Sequence, residues 1–171
     1  MPTLQSLAAS PEFEVALVVT QAAKGTSPVE VVAERLGLHV YKPPTLRNHA
    51  SREPLISAEP DLFVVAAFGL IFRQRTLDIP RFGSINVHPS LLPKYRGASP
   101  IVAAIASGDR ETGVALMVMD AGIDTGAVIS QDRALIAEDD TSESLGARLA
   151  DIGAEMAVRD IPRWVNGELV A

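Results

Sequence analysis

Cysteine is absent from the 171 residues of this chain, and tryptophan occurs only once. Without cysteine, the chain can form no disulfide, use no thiolate nucleophile and offer no thiolate to a metal. Its three histidines, His39, His49 and His88, lie far apart and lack the spacing of a metal site. These absences favour a metal-free protein of the cytoplasm.

Long apolar runs and a surplus of positive charge are also missing. The longest apolar stretch, residues 62–72, is far short of the roughly 20 residues that span a bilayer, and the first residues do not resemble a signal peptide. We therefore expect no membrane partner. The 15 basic and 21 acidic residues give a net charge of -6, which argues against broad binding of nucleic-acid phosphates and leaves only a local basic patch possible.

The sequence does contain alternating apolar and amphipathic segments. Apolar segments at 13–20, 61–67 and 84–88 predict buried strands, and segments at 38–41, 113–119 and 127–131 predict further short strands. The clearest helix begins where Ser27, Pro28 and Glu30 can form a capping box. Other helices are predicted after Ser99 and after residues 140–143, and residues 47–59 fit a loop or a short helix. Strands alternating with helices indicate an α/β protein with a mainly parallel sheet, in one domain over residues 1–171.

Three polar residues stand near predicted strand ends, where ligands bind in open parallel sheets. Asn86 and His88 are two apart on one strand, so their side chains point the same way. Asp124 lies between Gly122 and Gly126, which permit a close approach of the backbone to a ligand. An amide, an imidazole and a carboxylate suit acyl transfer, because they can stabilise an oxyanion and move a proton. Taken singly, each residue also fits an ordinary structural role, such as an Asx turn.

These residues belong to an extended motif. The stretch Ile-Asn-Val-His-Pro-Ser-Leu-Leu-Pro-Lys-Tyr-Arg-Gly (85–97) is followed by Gly108-Asp109, by Thr112-Gly113 and by Met-Asp-Ala-Gly-Ile-Asp-Thr-Gly (119–126). In order and spacing this motif resembles the formyltransferase family that uses 10-formyltetrahydrofolate as donor. The resemblance extends from Pro2 to about Val170. It implies a Rossmann-like α/β fold, with a mainly parallel sheet flanked by helices.

The resemblance also implies roles for particular residues. Asn86, His88 and Asp124 would be catalytic, with no metal. A pterin needs an apolar slot with a few polar backbone groups, which a strand end supplies. Arg96 fits either a contact with an acceptor phosphate or a solvated loop position. The implied pocket for 10-formyltetrahydrofolate is lined by Phe68, Gly69, Leu70, Ile71, Phe72, Ser90, Leu91, Leu92, Pro93, Met119 and Asp120.

Residues 96–101 and 117–120 look most like family members that act on methionyl-tRNA. The implied reaction is therefore transfer of the formyl group to the amino group of initiator methionyl-tRNA in translation initiation. The acceptor amine would attack the formyl carbon, Asn86 and His88 would donate hydrogen bonds to the oxyanion, and Asp124 would orient His88. Alternatives are glycinamide ribonucleotide or an amino-sugar nucleotide as acceptor, hydrolysis of the folate, and an inactive folate-binding fragment.

Three family features have no counterpart in these 171 residues, so we expect a catalytic domain truncated at both ends. They are a first strand with a Gly-Thr loop before Pro2, a longer basic loop at residues 21–27, and a C-terminal β-barrel after Ala171. Loss of a central strand predicts unpaired, apolar edges on the neighbouring strands. Loss of the basic loop and the barrel predicts weakened or abolished tRNA binding.

Overall fold

Helices and strands alternate along the chain in the computed structural model, which describes residues 1–22 and 25–171. The α/β class that the sequence predicts is confirmed. In chain order the elements are α1 (Pro2–Ala9), β1 (Val18–Val19), α2 (Pro28–Arg35), β2 (Val40–Tyr41), α3 (His49–Ser57), β3 (Phe63–Ala66), α4 (Gln74–Leu77), β4 (Ser84–His88), α5 (Pro100–Ala106), β5 (Glu111–Val118), β6 (Val128–Leu135) and α6 (Ser142–Val165).

The strands form two sheets. β1 pairs with β2, and the other four strands follow the order β3-β4-β5-β6. Pairing is parallel for β1–β2 and β3–β4, and antiparallel for β4–β5 and β5–β6. The parallel pairs come from the first half of the chain, where the sequence showed strands and helices alternating. Among the described residues β1 and β3 each have one ladder partner, so each keeps an open edge.

The predicted strand over residues 13–20 is reduced to Val18–Val19. A strand is held by its ladder partner, and β2 reaches only these two residues. Phe13 and Val15 pack against the hydrophobic core instead. β6 is longer than predicted, because its antiparallel register with β5 continues to Leu135.

Helix starts follow local capping chemistry. The Ser27 hydroxyl accepts from the backbone N–H of Glu30, and the Glu30 carboxylate accepts from that of Ser27, so the predicted capping box is confirmed. The signal at residues 140–143 is displaced by one residue, because Thr141 is the N-cap of α6 and Ser144 completes its capping box. No helix in the described ranges is long and apolar enough to cross a membrane.

Helix α6 covers one face of the four-stranded sheet. Gly153 allows a close approach, since a Cβ at this position would lie 2.5 Å from Cγ1 of Val87 on β4. The opposite face of β4 is thereby left to Asn86 and His88, because side chains alternate along a strand. The core between α6 and the sheet contains Ile85, Val87, Val114, Leu116, Leu145, Leu149, Met156 and Ile161, with the single tryptophan, Trp164, packed against it.

Candidate active site

The structure brings Asn86, His88 and Asp124 together. Asn86 and His88 lie on the face of β4 turned away from α6, and Asp124 reaches them from the loop between β5 and β6. Nδ2 of Asn86 donates to Oδ1 of Asp124 at 3.2 Å, and Nδ1 of His88 lies 3.6 Å from Oδ2 of the same carboxylate. The side chains of His88 and Asp124 are 4% and 17% exposed, so the carboxylate stays open to a ligand while the imidazole is enclosed.

Asp124 is held in an unfavourable backbone conformation. Its φ is +50°, and left-handed geometry costs a non-glycine residue roughly 1 kcal/mol or more. The backbone N–H of Gly97 donates to Oδ2 at 2.9 Å, which adds to the contacts from Asn86 and His88. At Gly126, a Cβ would lie 1.8 Å from the carbonyl oxygen of Val118, so only glycine allows the loop to pass this close to the end of β5.

His88 has both ring nitrogens facing protein groups. Nε2 lies 3.0 Å from the backbone carbonyl oxygen of Tyr95. A carbonyl oxygen only accepts hydrogen bonds, so Nε2 carries a hydrogen and donates it. Nδ1 is the ring nitrogen that faces Asp124. The Tyr95 carbonyl could not be predicted from the sequence, because a backbone acceptor leaves no residue-type signal.

The first predicted pocket segment runs beside the site. Ala66 of β3 is in register with Val87 of β4, so residues 68–72 leave β3 next to the strand end that carries His88. The Phe68 and Phe72 rings meet edge to face with centroids 5.6 Å apart, and Ile71 is 74% exposed. Leu70 is half-buried, and Gly69 is exposed with the Gln21 side chain against it. This segment presents apolar surface near the polar cluster.

The second segment faces mainly inward. Ser90 is fully buried and its hydroxyl donates to the carbonyl oxygen of Lys94 at 2.6 Å. Leu92 is buried in a small cluster with Ala115 and Met117, and the Leu91 side chain lies against Gly113. The side chains of Ser90 and Leu92 are therefore engaged in packing, whereas half-buried Leu91, exposed Pro93 and the backbone remain available to a ligand.

The third segment and Arg96 are more open. Met119 is half-buried, and its N–H donates to the Ser84 carbonyl oxygen at 2.7 Å. Asp120 is exposed and accepts hydrogen bonds from Gly122 and Thr125, so its carboxylate shapes the loop that carries Asp124. Arg96 is exposed and makes no hydrogen bond or ion pair with the residues that the structure describes. Within those residues, no cluster of three His, Asp or Glu side chains could hold a metal ion.

The formyl transferase family matches residues 7–161. The chain belongs to this family. The methionyl-tRNA formyltransferase of Aromatoleum aromaticum is 46% identical over an alignment of 167 residues that covers 93% of this chain and 53% of that protein. The methionyl-tRNA formyltransferase of Methylococcus capsulatus is 45% identical over an alignment of 170 residues that covers 95% of this chain and 55% of that protein. The chain thus spans about half the length of the curated relatives that it matches.

Solved structures support the same architecture. Glycinamide ribonucleotide transformylase 1 from Symbiobacterium toebii matches with a TM-score of 0.85 and 24% identity, over 99% of this chain and 85% of that one. At this identity the likeness establishes the shared fold alone.

Proposed function

We propose that this chain, as one catalytic domain, transfers a formyl group from 10-formyltetrahydrofolate to the amino group of methionyl-tRNA, as a cytoplasmic step of translation initiation. The observation that carries the proposal is the cluster of Asn86, His88 and Asp124 at the end of β4. The matched relatives named for methionyl-tRNA support this acceptor over glycinamide ribonucleotide.

The Asn86 amide is the first donor to the developing oxyanion. One of its two N–H groups donates to Asp124, which fixes the orientation of the amide and leaves the second N–H for the formyl oxygen. Donors fixed in advance stabilise developing charge without having to reorganise during the reaction. Asp124 therefore acts partly through Asn86, a contact that sequence analysis did not anticipate.

His88 and Asp124 would handle the proton. Because Nε2 of His88 donates to the Tyr95 carbonyl, the proposed reactive nitrogen is Nδ1, beside Asp124. As the acceptor nitrogen bonds to the formyl carbon, its proton passes to this pair, directly or through water, and is returned to the leaving nitrogen when the original carbon–nitrogen bond breaks. The folate supplies the electrophilic carbon and leaves as tetrahydrofolate.

The surroundings of the cluster fit such a co-substrate. The edge-to-face rings of Phe68 and Phe72 and the exposed Ile71 side chain supply apolar surface, and the backbone of residues 90–93 supplies polar groups. Met119 and Asp120 would border the pocket from the β5–β6 loop. Arg96 is exposed next to Gly97 and is our candidate for a phosphate of the acceptor.

The test is a formylation assay with 10-formyltetrahydrofolate and either methionyl-tRNA or glycinamide ribonucleotide. Removing one oxyanion donor lowers kcat by about 100- to 1,000-fold, so we expect a loss of that size for Asn86→Ala. Asn166→Ala, at the exposed C-cap of α6, is the matched control and should keep the parent rate.

An Asn86→Ala rate within tenfold of the parent contradicts the mechanism. Formylation of glycinamide ribonucleotide alone contradicts the proposed acceptor, and a cooperatively melting but inactive parent contradicts the activity.

A further inference from the structure

A short segment after β4, residues 94–97, delivers two backbone groups to the catalytic cluster. The Tyr95 carbonyl oxygen lies 3.0 Å from Nε2 of His88, and the Gly97 N–H donates to Oδ2 of Asp124 at 2.9 Å. The path of this segment therefore decides which nitrogen of His88 carries hydrogen and where the carboxylate sits. Whatever holds the segment also holds the cluster.

Tyr95 adopts a conformation that its own side chain disfavours. Its φ is +54°, in the left-handed region where a residue with a Cβ is strained. A strained residue keeps such a conformation only when its surroundings impose it. The Tyr95 hydroxyl donates to Oδ2 of Asp109 at 2.9 Å, so the far end of the side chain is anchored.

Asp109 is well placed to impose that conformation. Its Oδ2 also accepts from Nζ of Lys94 at 2.8 Å, so one carboxylate oxygen holds two consecutive residues of the segment. The Asp109 side chain is 18% exposed, and its backbone N–H donates to the carbonyl oxygen of Ala104 at the end of α5. The backbone of Asp109 is thus fixed to α5, while its carboxylate holds Lys94 and Tyr95 of the segment 94–97 by hydrogen bonds.

We propose that Asp109 is a positioning residue that sets the hydrogen position and orientation of His88 through the backbone of Tyr95. Hydrogen bonds from Lys94 and from Tyr95 lower the pKa of Asp109 below its ordinary value, which keeps the carboxylate ionised and both donors engaged at neutral pH. The effect on rate rests on the proposed formyl transfer. The effect on His88 itself does not.

The experiment compares Asp109→Ala, Asp109→Asn and Tyr95→Phe. Asparagine keeps an acceptor for the Tyr95 hydroxyl but loses the charge that attracts Lys94, so its effect should be smaller than that of alanine. Tyr95→Phe removes only the hydroxyl and leaves the backbone carbonyl in the chain. Glu111→Gln is the matched control, because Glu111 lies in the same cleft but pairs with Arg133 rather than with Tyr95.

The decisive readout is the ¹⁵N NMR spectrum of the His88 ring in a background with His39→Gln and His49→Gln, which leaves one histidine. In the parent we expect a protonated Nε2 with a slowly exchanging hydrogen. Asp109→Ala and Tyr95→Phe should shift the Nε2 resonance toward a mixture of tautomers and speed that exchange, while Glu111→Gln should change neither. An unchanged His88 spectrum in both variants overturns the proposal.

Kinetics provide the second readout. Misplacement of a catalytic group by about 1 Å can cost about 100-fold in rate, so we expect kcat to fall by roughly 10- to 100-fold without a comparable change in KM. A loss of activity with an unchanged His88 spectrum overturns the proposal, because the loss would not pass through His88. An inactive parent whose variants still alter His88 supports the positioning role and rejects the formyl transfer. If Asp109→Ala does not fold, Tyr95→Phe carries the same test.

Discussion

The contact between α6 and β4 yields a quantitative test of the fold that supports the site. Alanine at position 153 would place its Cβ 2.5 Å from Cγ1 of Val87 and 3.4 Å from Cγ1 of Val114. Both valines are buried on central strands. An ordinary carbon–carbon contact is about 3.5–4.0 Å, so α6 or β4 has to move by about 1 Å.

Two opposing effects set the size of the change for Gly153→Ala. Replacing glycine in a helix interior gains about 1 kcal/mol from backbone entropy. Overpacking a buried site costs about 1–3 kcal/mol. We expect a net loss of about 0–2 kcal/mol. For a chain of this size, each kcal/mol shifts Tm by roughly 2–4 °C.

Gly146 provides a matched control on the same helix. Alanine there would place its Cβ 3.5 Å from Cδ1 of Ile101, an ordinary contact. The propensity gain of about 1 kcal/mol should therefore be kept, with Tm raised by roughly 2–4 °C. Urea and thermal unfolding of both variants test the reasoning. A Gly153→Ala protein as stable as Gly146→Ala would refute the tight contact of α6 with β4.

Three further outcomes are expected. The Asp140 carboxylate accepts a hydrogen bond from Arg148, which is the main reason that its pKa falls from the usual 3.8 to about 2. The stability that this carboxylate contributes is therefore complete above pH 4 and is lost as the pH falls from about 4 to 2. Urea unfolding between pH 6 and pH 2 should therefore show a shallower loss in Asp140→Asn than in the parent, and parallel curves would contradict the assignment. Ser27→Ala removes the N-cap of α2 and should cost about 1 kcal/mol, while Thr26→Ala beside it should cost little; equal melting temperatures would argue against the capping box. Leu149→Ala creates a cavity at a buried core position and should lower the free energy of unfolding by about 2–5 kcal/mol, as measured with urea. A decrease below about 1 kcal/mol would contradict the place of Leu149 in the core.

Features set by near neighbours in the chain could be read from the sequence. The capping box of α2 needs only Ser27 and Glu30, which are three residues apart. The shared face of Asn86 and His88 follows from the alternation of side chains along β4. Leu145, Leu149 and Met156 recur at helical spacing, which places them on one buried face of α6. These features depend on local geometry, which neighbouring residues determine.

Features that depend on a partner elsewhere in the chain were harder to predict. The strand over residues 13–20 was overestimated, because apolar composition does not tell how far β2 extends alongside it. Ser90 and Leu92 remain predicted pocket residues through their backbone, while their side chains pack inward because the loop after β4 folds back onto β5. The N-cap of α6 is Thr141, while the carboxylate of Asp140 forms an ion pair with Arg148.

The order of the residues alone predicts the α/β class, the main helix starts and three polar candidates near strand ends. How those three residues meet depends on the three-dimensional fold. Asn86 and Asp124 are 38 positions apart and form a hydrogen bond, and the Tyr95 carbonyl assigns the hydrogen to Nε2 of His88. Such contacts depend on backbone path across distant segments, and a backbone carbonyl looks the same in every residue type.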